Sequence, residues 1–144
     1  MSSANFANFV RAFAKGDIDF DTLQAKVLLV TTAPSAANLA AWAYRADISG
    51  EVLTGNGYTV GGIAQAYTLG ALDTAGPIQA IIYTNIVNGW TSATFAAVGA
   101  IIYKSTGAAA TDILMHFIDF GETVSVVNGV FDIAYSDPFL IAGY

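Results

Sequence analysis

From Gly55 onward, turn-forming residues recur at hairpin spacing, and this constrains the fold more than any other feature of the chain. In Glu51–Gly62, four glycines (Gly55, Gly57, Gly61 and Gly62) interrupt the strand-forming residues Val52, Tyr58, Thr59 and Val60. Glycine tolerates positive φ and close backbone approach, so the stretch reads as turn, strand and bend. Gly70, Gly76 and Pro77 punctuate the next connection. Asn88-Gly89 and Asn128-Gly129 are hairpin turn pairs, with Thr106-Gly107 and Gly121 between them. The intervening strands are Tyr58–Leu69, Ile78–Tyr83, Thr91–Tyr103 with a bulge at Gly99, Ile113–Phe120, Thr123–Val127 and Val130–Tyr135. Ahead of them, Gln24–Thr32 contains Val27-Leu-Leu-Val30, an unbroken apolar run suited to a strand covered on both faces. Asn38–Tyr44 is alanine-rich and reads as a helical turn or two, anchored by Trp42 and Tyr44. The expected fold is all-β: an antiparallel β-sandwich, jelly-roll-like or Greek key, over residues 17–144.

Residues 1–16 read as a short helical arm in front of that body. Ser2 or Ser3 is placed to cap it, and Gly16 to stop it. Phe6, Phe9, Val10 and Phe13 recur every three or four residues and form one apolar stripe. Two destinations for the stripe are open: the domain's own core, or a neighbouring subunit. Asp17, Asp19 and Asp21 have the spacing that opens a calcium loop. The sixth and twelfth positions of such a loop, however, hold Thr22 and Leu28 rather than glycine and glutamate. The segment therefore reads as extended backbone with its carboxylates outward, and no metal or cofactor is expected.

Only 11% of residues are charged while 55% are apolar, against roughly 25% charged in an ordinary soluble domain. Between Val52 and Tyr103 the single charged residue is Asp73. A solvated antiparallel face alternates apolar with polar, so several strands are expected to face other protein. Apolar stretches such as Lys26–Val30 and Ala80–Tyr83 are strand-length, well short of the ~18 residues of a spanning helix. No membrane partner and no secretory signal are expected. The net charge is −6, and Arg11, Lys15, Lys26, Arg45 and Lys104 are scattered, which argues against nucleic acid. There is no cysteine.

Catalytic arrangements are poorly represented. His116 is the single histidine, and no Gly-x-Ser-x-Gly turn presents a nucleophile beside it. Gly55-x-Gly57-x-x-x-Gly61 misses the dinucleotide spacing and leads into β-branched and aromatic residues rather than a helix. Asp119, Glu122, Asp132 and Asp137 would need to face one another across a cleft to act as a glycosidase pair. Trp42, Tyr44, Trp90, Tyr103 and Tyr135 could stack on sugars or fill a core or an interface.

Taken in order, several motifs resemble a family of tailed-bacteriophage structural proteins. They are Asp17-Ile-Asp19-Phe-Asp21-Thr22, Lys26-Val-Leu-Leu-Val-Thr31, Glu51-Val52 and Gly55-x-Gly57-Tyr58-x-x-Gly61-Gly62. Later come Trp90, Thr94, Ala100-Ile-Ile-Tyr103-Lys104, Thr106-Gly107, Ile118-Asp119-Phe120-Gly121 and Asn128-Gly129-x-Phe131. The similarity covers residues 17–135. The phenylalanine-rich start and the tail from Asp137 to Tyr144 fall outside it, and the alanine-rich stretch 36–43 replaces a more polar one. The resemblance implies a non-enzymatic capsid decoration or cement protein on the outer surface of the virion. Such a protein forms homo-oligomers, often trimers, and binds between major capsid protein subunits. A neck or tail component is the alternative within the same class, and a carbohydrate-binding β module is one outside it. Candidate interface residues are Phe6, Phe9, Phe13, Trp42, Trp90, Phe139 and Tyr144.

Overall fold

The computed structural model describes residues 3–69, 79–135 and 139–141. The chain is all-β with two short helices. Its elements are β1 (Ala4–Asn5), α1 (Ala7–Lys15), β2 (Ala25–Val30), α2 (Ala36–Ala41), β3 (Ile63–Ala64), β4 (Tyr67–Leu69), β5 (Gln79–Tyr83), β6 (Ile86–Lys104), β7 (Ile113–Ile133) and β8 (Phe139–Ile141). One antiparallel sheet runs β1-β7-β6-β2-β3 and a smaller one runs β4-β5-β8. Tyr67 and Tyr83 of the smaller sheet lie in the same core as the inner face of the larger.

The organising element is one long hairpin, β6–β7, which non-consecutive pairings join to β1 on one side and β2 on the other. Several expected turns are absorbed into its strands. Asn88-Gly89, Gly121 and Asn128-Gly129 lie inside β6 or β7, where Asn88, Ser92, Gly121 and Asn128 take positive φ. They act as bulges: the pairing register slips between Ile86 and Trp90, between Trp90 and Ala93, between Ala93 and Phe95, and again between Ala97 and Gly99. A residue at positive φ that does not reverse the chain inserts an extra residue into the ladder and increases local twist. Thr106-Gly107 does turn the chain, between β6 and β7. The long expected strand Tyr58–Leu69 is replaced by β3 and β4, because the bend at Gly61 and Gly62 precedes the first of them.

β2 is covered on both faces, as its apolar run requires. Val27 and Leu29 enter one cluster with Ala100, Ile102, Met115, Trp90 and Phe131. Leu28 and Val30 enter the other with Phe6, Ile101, Tyr103, Leu114 and Phe117, roofed by Leu39 and Trp42 of the α2 region. Ser35 caps α2: its Oγ accepts the Asn38 amide, and Asn38 Oδ1 accepts the Ser35 amide in return.

The amino-terminal segment belongs to this body. Residues 4–5 are a strand on the edge of β7, opposite Phe117 and His116. Helix α1 is therefore shorter than its sequence suggested, and no side chain caps it. Ser3 Oγ instead accepts the Asp119 amide. Gly16, at φ 83, ends the helix and returns its N–H to Ala12 and Phe13. Asp17–Asp21 is a turn rather than an extended stretch, with Asp19 Oδ1 accepting the Asp21 amide.

Candidate functional site

The glycine-rich stretch builds a hydrogen-bonded corner. Gly55 and Tyr58 exchange backbone hydrogen bonds around Asn56 and Gly57, both at positive φ, closing a two-residue hairpin turn. The Tyr58 hydroxyl donates to Glu51 Oε1 at 2.9 Å and accepts the Leu29 amide at 3.0 Å. The Gly61 amide donates to the same Glu51 oxygen at 2.6 Å. Tyr58 stacks on Trp90 with ring centroids 6.1 Å apart and meets Phe95 edge-on. The turn thus ties β2 to the middle of β6.

Beside it lies a part-buried ion pair. Arg45 Nε donates to Asp112 Oδ2 at 2.7 Å, and the guanidinium sits 5.5 Å from the Tyr103 ring centroid. Burial works against the Asp112 charge, but the Thr106 amide and hydroxyl and the Arg45 guanidinium outweigh it and hold the carboxyl below its usual range. Burial pushes the Tyr103 hydroxyl up to about 12 and the Tyr58 hydroxyl higher still. Both phenols therefore stay protonated and act as structural hydrogen-bond donors. Nothing in the sequence announced the pair, because its members lie 67 residues apart.

His116 is set into the sheet by a local bulge. Ile102 faces His116 while Tyr103 faces Leu114, leaving Met115 as the extra residue. Burial lowers its pKa to about 4. Its Nδ1 lies 2.7 Å from Asn5 Oδ1, so the neutral ring donates from Nδ1 to the amide oxygen. The other catalytic readings gain no geometry. Asp132 accepts the Asn88 amide and faces solvent. Among the described residues no group of three or more His, Asp or Glu side chains converges. Of the aromatics weighed for sugar stacking, Trp90 and Tyr103 are buried and Tyr135 donates its hydroxyl to Gln65, while Trp42 is half-buried and Tyr44 is exposed. A polar cleft is lined by Asn8, Arg11, Lys15, Asp17 and Tyr44, where Lys15 and Asp17 pair at 3.4 Å.

The interface candidates separate into groups. Phe6, Phe9 and Trp90 lie inside the subunit's own core and have no surface to offer a partner. Phe6 is buried because β1 pins it over the outer cluster, and Phe9 because α1 turns it toward the inner one. Trp42 is half-buried against the outer cluster. Phe13 is 41% exposed and touches Phe20. Phe139 lies in β8, which pairs with β5, and Tyr144 lies outside the described residues.

A different surface emerges, which the sequence reading did not single out. Beyond Asp119, the far half of β6–β7 turns Phe95, Val124, Val126 and Phe131 inward. Its other side exposes Val87, Thr94, Ser125, Val127 and Val130, with Val127 79% exposed. Leu53 and Val60, at the tips of the glycine-rich loop, are exposed as well. The outer backbone edge of β7 changes character along its length. Residues 43–44 cover Ile113 and Leu114, residues 4–6 cover Met115 to Phe117, and Ser3 covers Asp119. From Phe120 to Ile133 no strand pairs with that edge among the described residues. Among those residues, too, no helix is long and apolar enough to cross a membrane.

No family model, no curated protein and no solved structure matches this chain, so the geometry and the motif resemblance together carry the functional reading.

Proposed function

We propose that this chain is a non-enzymatic structural protein of a tailed-phage virion, a capsid decoration or cement protein. It assembles with itself and grips neighbouring major capsid protein subunits on the outer surface of the shell. The observation that carries the reading is the exposed, nearly uncharged far half of β6–β7. There β6 has no ionisable side chain, and the exposed carboxylates of β7 are Glu122 and Asp132. A charge-depleted patch with apolar side chains at its centre is the composition of a protein–protein interface core. The Glu51–Tyr58 and Arg45–Asp112 hydrogen bonds brace the body that presents it. Repetition of the shell multiplies weak contacts through effective concentration.

Imaging of purified particles tests the reading. Density for this chain at regular two-fold or three-fold positions across the shell is the expected result. A few copies at one vertex would move the protein to the neck or tail and end the cement assignment.

A further inference from the structure

Among the described residues no strand pairs with the outer edge of β7 between Phe120 and Ile133, and an open edge asks for a particular kind of partner: an extended strand. Natural edge strands are protected by charged side chains, proline, bulges or a covering segment, and on β7 the bulges at Gly121 and Asn128 leave the stretch between them straight. Among the described residues the chain covers its own edge as far as Asp119, and none of them pairs with it as a strand beyond that point. Between Phe120 and Ile133 there is no lysine, arginine or proline.

We propose that this open edge pairs antiparallel with the same edge of a second copy, about a two-fold axis at Ser125. The inference rests on the reading of the chain as self-assembling, and it names the surface used. Several observations select a second copy as the occupant. Val124, Ser125 and Val126 pair in unbroken register with Ala97, Ala96 and Phe95, and the run Glu122–Val127 around them lies between the positive-φ residues Gly121 and Asn128. Centring the axis on Ser125 makes this run face itself: Val124 lies opposite Val126 and Thr123 opposite Val127. Val124 and Val126 are half-buried at the margin of the inner core. The pairing sets each against its counterpart and makes the two cores continuous across the join. Thr123, Ser125 and Val127 are exposed on the other face and form a neutral cross-strand cluster there. Glu122 falls opposite Asn128, and no carboxylate faces another. Joining the edges also removes the unprotected part of the sheet in both copies.

The chain contains no cysteine, so Ser125→Cys introduces a single thiol that only a second copy can reach. Directly opposed residues in an antiparallel pair have Cβ atoms about 4.5–5.5 Å apart, close enough for a disulfide after slight adjustment. The expected result is a concentration-dependent monomer–dimer equilibrium for the unmodified protein in sedimentation. Oxidised Ser125→Cys becomes a disulfide-linked dimer, while Ala37→Cys, on exposed α2, does not. The double variant Thr123→Lys/Val127→Lys places like charges opposite each other and weakens association about tenfold or more, with its circular dichroism and thermal melt retained. Several results overturn the proposal: an unmodified protein that stays monomeric up to its solubility limit, one that forms trimers without the Ser125→Cys cross-link, or a folded double variant that associates as before. These measurements use the isolated protein. Particle imaging alone decides the virion assignment, so the two can fail separately.

Discussion

Arg45 and Asp112 meet at 2.7 Å with the carboxylate side chain almost wholly buried. One residue lies in the 3-10 turn after α2 and the other just before β7, so the pair fastens the outer layer to the long hairpin. Removing the carboxylate leaves the largely covered Arg45 guanidinium without its partner. Asp112→Asn is expected to cost about 3 kcal/mol, read from chemical denaturation at neutral pH. The carboxyl is held below its ordinary value in the folded chain. Its contribution is therefore fully present above the unfolded pKa of about 3.9 and lost as pH falls through the lower folded value. A variant as stable as the parent would show that the pair contributes nothing to holding these layers.

His116 adds a second acid-sensitive element. Its pKa falls from 6.5 unfolded to about 4 folded, because burial disfavours the imidazolium. The unfolded chain then binds more protons at this position between those values. Stability should be complete above pH 6.5 and decline toward about pH 4, by up to about 3 kcal/mol. Unfolding by urea across this range, compared with His116→Gln, isolates the effect. The variant should show a flatter profile from pH 6 to 5, and an identical profile would exclude the histidine as its source.

The glycines at positive φ divide by what surrounds them. A Cβ at Gly121 meets nothing within 4 Å, whereas one at Gly62 would stand 1.8 Å from the Val27 carbonyl oxygen. Gly121→Ala should cost only the left-handed backbone penalty, about 1–2 kcal/mol. Gly62→Ala also forces the loop off β2 and should cost about 4 kcal/mol or more. Gly57 stands between them in severity, with a Cβ 2.9 Å from the Thr91 carbonyl oxygen and the Ala93 Cα. Thermal melts of the three alanine variants should preserve this order.

Two phenylalanines on α1 should behave differently. Phe9 is buried in the inner core, while Phe13 is 41% exposed. Phe9→Ala is expected to destabilise by about 3–5 kcal/mol, and Phe13→Ala by less than about 1 kcal/mol. Deleting residues 1–16 should consequently impair folding itself and not only assembly, because the deletion strips Phe6 and Phe9 from the core and uncovers the near edge of β7. A deletion variant with an undiminished melting temperature would return the segment to the role of a free arm.

The all-β class, the doubly covered β2 and the Gly16 stop could be read from local pattern, because each depends on residues adjacent in the chain. The same local reading misjudged Asn88-Gly89 and Asn128-Gly129. An Asn-Gly pair reports only that the backbone takes positive φ. Whether that conformation reverses a strand or kinks it depends on what the partner strand does, and β6 and β7 keep pairing through it. The apolar stripe of α1 was legible too, but not its phase: Phe9 and Ala12 are buried while Val10 is exposed, because β1 fixes how the helix lands. The Arg45–Asp112 pair and the open edge of β7 exist only in the folded chain, since both arise from segments far apart in sequence.

The irregularities along β6 and β7 bear on how so uncharged a protein avoids fibrillar growth. Cross-β stacking propagates when flat ribbons present an identical, straight template to every incoming chain. Kinks at Asn88, Ser92, Gly121 and Asn128 leave only short straight stretches of template and coil the ribbon. A growing fibre would have to unbend each new molecule before adding it, and that cost works against fibrillar growth.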